Sequence, residues 1–203
     1  MPHGLFISLD GVDGAGKSTQ CRLLAGWLRE QGQSVVLCHD PGGTELGQKL
    51  RDILLSHRGA MSLTCEALLF MASRAQLIAE VIRPALAAGQ VVIADRFLLA
   101  NVVYQGHAGG LDPEQLWNVG LFGTDGLEPD LTFVLDLPLN VAFARRKPSA
   151  DRVESRGRDY FARVRIGFLT EANRRPERIR VIDATWSAEQ VQEQLRREIS
   201  TLL

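Results

Sequence analysis

The sequence predicts an α/β fold, in which a five-stranded parallel sheet carries helices on both faces. Three observations support this fold class. Short β-branched runs alternate with longer helical patterns, which is typical of a parallel sheet covered on both sides. The chain has 203 residues, enough for a sizeable core, and its 45% hydrophobic content fits a globular protein. We expect residues 1–203 to form a single domain.

The elements follow one another in a regular order. The strands are expected at the apolar runs LFISLD, SVVLCH, VVIAD, LTFVLDL and IRVID. Helical patterns lie between them, at residues 17–31, 64–88, 113–122, 140–146, 160–174 and 187–202. Gly32 and Gly89 are placed to end helices, and Pro113 to begin one. Pro84 predicts a kink or break near Arg83, inside the 64–88 pattern.

The first loop carries a phosphate-binding motif. GVDGAGKST fits the pattern G-x-x-x-x-G-K-S/T between a strand and a helix, where backbone N–H groups and the helix dipole converge on an anion. Lys17 is expected to reach the β and γ phosphates, and the Ser18 hydroxyl to hold Mg²⁺. The motif predicts ATP with Mg²⁺ as the ligand and a three-layer P-loop NTPase-type fold. The binding residues are expected to be Gly11, Val12, Asp13, Gly14, Ala15, Gly16, Lys17, Ser18 and Thr19.

Carboxylates stand at the ends of several predicted strands, where ligands collect in open parallel sheets. They are Asp10, Asp40, Asp95 and Asp136. Asp95 is expected to hold the magnesium shell, and Arg96 beside it to bind a second phosphate. A helix-capping Asp95 with a surface-paired Arg96 stays open as the alternative.

Composition argues against several other classes of function. Lys and Arg number 23 against 24 Asp and Glu, so the net charge of −1 favours neither nucleic acid nor an anionic membrane. No apolar stretch approaches the roughly 20 residues of a membrane span, and no signal-peptide pattern opens the chain, so we expect a cytoplasmic protein. Cys21, Cys38 and Cys65 lack a C-x-x-C pair and predict neither a disulfide framework nor a zinc site.

One segment gathers positive charge. Residues 145–165 carry Arg145, Arg146, Lys147, Arg152, Arg156, Arg158, Arg163 and Arg165 against Asp151, Glu154 and Asp159. Pro148 and Gly157 in the same segment are typical of a flap between helices. We expect an Arg-rich lid at about residues 147–158 that brings cations over the phosphate-binding loop. For any single arginine, a solvated helix surface is the alternative.

Taken together, the motifs resemble those of bacterial thymidylate kinases, which are P-loop nucleoside monophosphate kinases. The matching stretches are GVDGAGKSTQ, DPGGTELGQKLRDILL, EALLFMASRAQL, ADRF, VVYQG, PDLTFVLDLP, DRVESRGRDYFARVR and VIDAT. The resemblance covers nearly the whole chain. It implies an enzyme that transfers the γ-phosphate of ATP to dTMP, giving dTDP and ADP for dTTP biosynthesis. It also implies a homodimer, with the helix at 64–88 as the contact.

The resemblance assigns residues to the acceptor nucleotide. Phe70 and Arg74 lie four apart on one helix face, so they are expected to stack on thymine and to donate to a base carbonyl. Asn101 is expected near the base. Tyr104 and Gln105 match a Y-Q pair whose ring crowds the 2′ position and disfavours ribonucleotides.

The resemblance also assigns the residues around the phosphates. Arg96 and Arg51 would bind the dTMP phosphate, and Asp13 would accept the sugar 3′-OH. Because the acceptor is already ionised, catalysis is expected to rest on alignment and charge neutralisation. Lys17, Asp13, Arg96 and the lid residue Arg152 are the expected catalytic residues.

This chain departs from the family pattern at several positions. Asp10 and Asp40 replace glutamates, which shortens each carboxylate by one methylene. Ala100 and Val103 replace a serine and an alanine near the base. Gly14 stands where some relatives carry the assisting arginine, so that charge must come from the lid.

Two other functions stay open from the sequence. A deoxynucleoside kinase would use Asp10 or Asp40 as the base for a 5′-OH. A non-enzymatic P-loop switch or ATP sensor is the second, although no N-K-x-D guanine motif is present.

Overall fold

The computed structural model describes residues 4–145, 152–153 and 156–203. A five-stranded parallel sheet with the order β2-β3-β1-β4-β5 forms its centre, and helices cover both faces. The strands are β1 (Phe6–Asp10), β2 (Val35–His39), β3 (Val91–Asp95), β4 (Leu131–Asp136) and β5 (Ile179–Asp183). This is the predicted α/β architecture, and every strand lies where an apolar run predicted it.

The helices connect the strands in the predicted alternation. They are α1 (Lys17–Glu30), α2 (Glu45–Ser56), α3 (Leu63–Leu77), α4 (Arg83–Ala87), α5 (Leu98–Asn101), α6 (Pro113–Thr124), α7 (Leu139–Arg145), α8 (Arg158–Arg174) and α9 (Ala188–Ile199). Two π-helical segments, Ile78–Ile82 and Val102–His107, continue α3 and α5. Within the described ranges, no helix is long and apolar enough to cross a membrane.

The sheet supplies the core of the molecule. All five residues of β1 are buried, because the strand lies between β3 and β4 and is covered on both faces. In the register of the sheet, Leu9 lies opposite Asp95 and Asp10 opposite Val134. The carboxyl ends of the three central strands therefore meet at one edge, where the phosphate-binding loop begins.

Several sequence-based boundaries need correction. The pattern expected at 64–88 changes to a π-helical turn at Ile78–Ile82 and returns to an α-helix at Arg83, with Pro84 in its first turn. The expected kink or break near Arg83 is thus a change of helix type, because the backbone remains helical at Ile82 and Arg83. Helix α2 was missed, although Thr44 caps it by accepting from the Gly47 N–H at 2.9 Å. The helical stretch at 98–107 was also missed, because it is almost wholly buried and so has no polar face.

The predicted lid lies largely outside the described residues. Of the range 147–158, the structure describes 152–153 and 156–158.

The two glycines predicted to end helices do so. Gly32 and Gly89 follow their helices with φ of 81° and 71°, as expected of residues that end helices.

Phe133 tests the importance of the sheet core. Its side chain is fully buried in β4, so Phe133→Ala should lower the free energy of unfolding by about 3–5 kcal/mol. Ile166→Ala is the control, because Ile166 in α8 is 62% exposed and its loss should change stability by about 0.5 kcal/mol or less. Urea unfolding of both variants measures the difference. Equal effects would mean that Phe133 is not part of a well-packed core.

Candidate active site

Two adjoining cavities open at the carboxyl edge of the sheet. The inner cavity lies between α2, α3 and residues 97–105, and the loop cavity lies over the phosphate-binding loop. Four residues line both: Asp13, Asp40, Arg51 and Arg96. The two cavities therefore meet at a mixed set of two carboxylates and two arginines.

The phosphate-binding loop has the backbone that its glycines predict. Gly11, Gly14 and Gly16 have φ of 135°, 89° and 94°, a region that side-chain-bearing residues rarely adopt. A Cβ on Gly14 would stand 2.5 Å from the carbonyl oxygen of Ala142 in α7. An arginine at this position would therefore clash with α7, so the assisting arginine cannot stand at position 14.

Lys17 lies at the start of α1 with its ammonium turned back over the loop. Its Nζ donates to the Val12 carbonyl at 3.0 Å and lies 3.7 Å from the Asp13 carboxylate. Burial, and then the neighbouring Arg96, lower the pKa of Lys17 below its usual value. The ammonium is thus positioned and poorly solvated, which strengthens its attraction for an anion in the loop cavity.

Ser18 and Asp95 form the expected pair at the cavity floor. The Ser18 hydroxyl donates to the Asp95 carboxylate across 77 residues of chain. Both oxygens line the loop cavity, and a hydroxyl with a carboxylate is the donor set that Mg²⁺ shares with phosphates and waters. The pair therefore fits a magnesium ion.

Arg96 occupies the boundary between the cavities. It follows β3 with φ of 72°, and its guanidinium donates to the Gly11 carbonyl at 3.0 Å and to Asp13 Oδ1 at 2.5 Å. The guanidinium carbon also lies 5.1 Å from the centre of the Tyr104 ring. A backbone hydrogen bond, an ion pair and the ring together hold this cation in one place.

The inner cavity contains the base-side residues. Arg74 is almost fully buried; its Nε donates to Asp40 at 2.6 Å and its Nη1 to Asn101 Oδ1 at 3.1 Å. Phe70 is half-buried and lines the same cavity. A flat ring and a fixed guanidinium are suited to a planar, carbonyl-bearing ligand.

The structure brings the predicted acceptor residues together. All eight line the inner cavity: Asp13, Arg51, Phe70, Arg74, Arg96, Asn101, Tyr104 and Gln105. From the predicted loop set, six line the loop cavity: Asp13, Gly14, Gly16, Lys17, Ser18 and Thr19. Leu55, Val153 and Arg22 also line the cavities and were not selected from the sequence. Arg145, which was predicted only as a member of the basic segment 145–165, lines the loop cavity.

A family model described as thymidylate kinase matches residues 9–195. The chain belongs to the thymidylate kinase family. It is 49% identical over 190 residues to a thymidylate kinase of Rhodopirellula baltica, covering 94% of this chain and 78% of that protein. It is 48% identical over 202 residues to the thymidylate kinase of Symbiobacterium thermophilum, and the match covers 98% of this chain and 94% of that protein. The crystal structure of thymidylate kinase from Ehrlichia chaffeensis is 30% identical in sequence and superposes with a TM-score of 0.80. The match covers 98% of this chain and 99% of that chain.

Arg152, expected from the sequence as the lid arginine, is held between α2 and α3 beside the inner cavity and is not among the residues that line either cavity. Its Nη1 contacts Glu66 at 2.5 Å and its Nε donates to the Leu54 carbonyl at 3.0 Å. Glu66 lies in α3, is fully buried and also binds Arg156 at 2.7 Å. Sequence reasoning missed Glu66; the available signal was a charge inside the apolar run EALLFM.

Asp10, at the end of β1, is a buried carboxyl group in a family where glutamate is usual. It is fully buried, and within the described ranges neither carboxyl oxygen has a hydrogen-bond partner. Burial raises the pKa of Asp10 to about 7, although Arg96 and Lys17 oppose the rise. The group is therefore partly protonated near neutral pH.

This raised pKa predicts a pH-dependent stability. Between pH 3.8 and about pH 7, the folded state keeps a proton on Asp10 that the unfolded state has released. The stabilisation that this proton gives is therefore complete below the unfolded pKa of 3.8 and is lost as the pH rises to and through the folded pKa of about 7. Asp10→Asn stays neutral, so relative to wild type it should gain about 1.4 kcal/mol of unfolding free energy per pH unit across this window. Urea unfolding of both proteins at pH 5 and pH 8 measures this gain. If the difference in unfolding free energy between Asp10→Asn and wild type is the same at pH 5 and at pH 8, the pKa of Asp10 is not raised.

Proposed function

We propose that the loop cavity binds ATP, that the inner cavity binds dTMP, and that the γ-phosphate crosses where the cavities meet. The chain is an enzyme of the thymidylate kinase family, which transfers the γ-phosphate of ATP to dTMP in dTTP synthesis. The observation that carries the assignment of the cavities is their shared lining of Asp13, Asp40, Arg51 and Arg96. Two arginines at the junction suit two phosphates that must approach each other.

The inner cavity supports recognition of thymine. Phe70 offers a face for stacking, and Arg74 keeps Nη2 without a hydrogen-bond partner among the described residues. That nitrogen can donate to a base carbonyl, which a cytosine amino group would not accept. Tyr104 and Asn101 complete the sugar and base sides of the cavity.

The acceptor phosphate is proposed to bind Arg96 and Arg51. Arg96 is held by Gly11 and Asp13, and Arg51 donates to the Pro41 carbonyl at 2.8 Å. Asp13 can accept a sugar hydroxyl in addition to Arg96, because a carboxylate offers about four lone-pair positions. An ionised phosphate bound to these two arginines would lie at the mouth of the loop cavity, which both of them line.

Ser18 and Asp95 are the proposed magnesium ligands. When bound there, Mg²⁺ would neutralise the donor phosphates and help to align them. The residues of the chain contribute the rest. Lys17 stabilises negative charge on the donor phosphates, and Arg96 holds the acceptor in line, so the reaction depends on position and charge rather than on a general base.

A nucleoside kinase is a weaker alternative. It needs a carboxylate free to accept the proton of a 5′-OH. Asp10 is fully buried below the loop, which leaves Asp40 as the remaining candidate of the two. Asp40 lines both cavities, but its Oδ2 accepts from Arg74 at 2.6 Å, while Oδ1 has no hydrogen-bond partner among the described residues. The two arginines at the junction of the cavities favour an ionised acceptor over a 5′-OH.

We also propose that the chain acts as a single domain, in the cytoplasm, as a homodimer. The family resemblance suggests α3 as the contact. Leu68 of α3 is 50% exposed and Phe122 of the adjacent α6 is 88% exposed, so an apolar surface is available there.

The acceptor specificity is tested by ADP release. With ATP and Mg²⁺, dTMP should be strongly preferred over UMP, CMP, AMP and free thymidine, because the cavity recognises a base carbonyl, a deoxyribose and a phosphate together. The acceptor dUMP carries the same three groups, so its rate measures what the 5-methyl group of thymine adds. Turnover with thymidine in place of dTMP would mean that the Arg96 region binds no phosphate. No turnover with any acceptor would contradict the kinase assignment.

Arg152 is proposed to stabilise the transferred phosphoryl group. Arg152→Ala should lower kcat by about 10³- to 10⁵-fold and leave ATP affinity nearly unchanged, because an arginine of this kind acts on the transition state. Steady-state rates and ATP titration measure the two effects. Arg197→Ala, at an exposed arginine of α9, is the control and should leave both unchanged. Small and equal effects of Arg152→Ala would remove it from the mechanism.

A further inference from the structure

A buried series of hydrogen bonds leads away from the base-side arginine. Arg74 Nη1 donates to Asn101 Oδ1 at 3.1 Å, and Asn101 Nδ2 donates to Gln105 Oε1 at 2.8 Å. Gln105 Nε2 then donates to Glu66 Oε1 at 2.6 Å. Every member of the series is at least nine-tenths buried, so each bond lies in a poorly screened environment.

Glu66 joins this series of hydrogen bonds to two arginines of the basic segment 145–165, Arg152 and Arg156. Its Oε1 takes the Gln105 amide, while its Oε2 takes Arg152 Nη1 at 2.5 Å and Arg156 Nη2 at 2.7 Å. A glutamate carboxylate only accepts, and each of these three partners donates. The carboxylate therefore balances two cations on one side and orients an amide on the other.

The direction of every bond in the series follows from Glu66. Because Gln105 must turn its NH₂ toward the carboxylate, its oxygen faces Asn101. Asn101 must in turn present its own oxygen to Arg74. The hydrogen-bonding edges that line the inner cavity are thus set by a residue that does not itself line it.

A second connection returns to the sugar side of the cavity. Arg156 Nη1 donates to the Tyr160 hydroxyl at 2.7 Å, and that hydroxyl donates to the Tyr104 carbonyl at 2.7 Å. The base side of the inner cavity is thus connected to Glu66 through Gln105, and the sugar side is connected to Glu66 through Tyr160 and Arg156.

We propose that Glu66 is a positioning residue that couples recognition of the acceptor base to the placement of Arg152. The proposal deepens the function given above and rests on it. A glutamate that served folding alone would affect stability without touching base selectivity or kcat. A coupling residue affects both, since its removal frees the Gln105 amide to turn and leaves Arg152 without its carboxylate.

The structure supplies a matched control for a purely structural glutamate. Glu171 in α8 is 1% exposed and accepts from Trp117 Nε1 at 3.0 Å, with His107 at 2.8 Å. It lines neither cavity. Glu66→Gln and Glu171→Gln make the same isosteric change at equally buried carboxylates.

The test compares kcat and KM for dTMP and for dCMP, with thermal unfolding recorded for each protein. Glu66→Gln should lower kcat for dTMP by about 10²-fold, as expected of a displaced catalytic group. It should also reduce the preference for dTMP over dCMP by about tenfold or more, the effect of one misdirected hydrogen bond. Glu171→Gln should lower the Tm and leave the preference unchanged.

A double-mutant cycle shows whether Glu66 acts through Arg152. In the Arg152→Ala background, Glu66→Gln should cause no further fall in kcat, while the dTMP preference should still decrease. Independent, additive losses of kcat would overturn the coupling. If Glu66→Gln does not fold, Glu66→Asp carries the same test, because it keeps the charge but is too short to reach Gln105 and both arginines.

The outcomes separate this proposal from the function on which it rests. If wild type fails to phosphorylate dTMP, the proposed function itself is wrong. If wild type is active, but Glu66→Gln matches Glu171→Gln in kcat and in base preference, only the coupling role is wrong.

Discussion

The active site depends on the pairing of β1 with β3. Leu9 lies opposite Asp95, so the two strands end at the same level and Gly11 emerges beside Arg96. The Arg96 N–H donates to the Leu9 carbonyl at 3.0 Å, which extends the pairing into the site. A shift of one residue in this register would turn every side chain of a strand to its other face. Both the loop for the donor phosphates and the arginine at the cavity junction therefore rest on one strand pair.

The second constraint is the amount of charge that the fold buries. Arg74 with Asp40, and Glu66 with two arginines, are ion pairs from which water is largely excluded. Such pairs contribute little to stability, because desolvation offsets their attraction, but removing one partner is costly. The arrangement is thus rigid and specific rather than strongly stabilising. Asp10, which has no partner in the described part of the chain, shows the cost directly through its raised pKa.

Much of the fold could be predicted, for local reasons. Strands buried on both faces appear as continuous apolar runs, and the phosphate-binding loop is a contiguous motif. Two helical stretches could not be recognised in the same way. Helix α2 directly follows the glycines of DPGGT, which indicated a loop, and residues 98–107 are buried almost all round and so lack the polar face of a surface helix. Glu66 was missed because a single charge in a helical pattern usually indicates the solvent face, and its partner Arg156 lies 90 residues away.

The sequence by itself determined the nucleotide-binding loop, the alternation of strands and helices, the family and hence the reaction. These depend on neighbours in the chain or on motifs in a characteristic order. Only the tertiary structure decided which charge meets which: Ser18 with Asp95 across 77 residues, Arg96 with Asp13 across 83, and Arg152 with Glu66 beside the inner cavity. The physical reason is that a local pattern specifies the conformation of a segment, whereas the partner of a buried charge depends on how distant segments pack together.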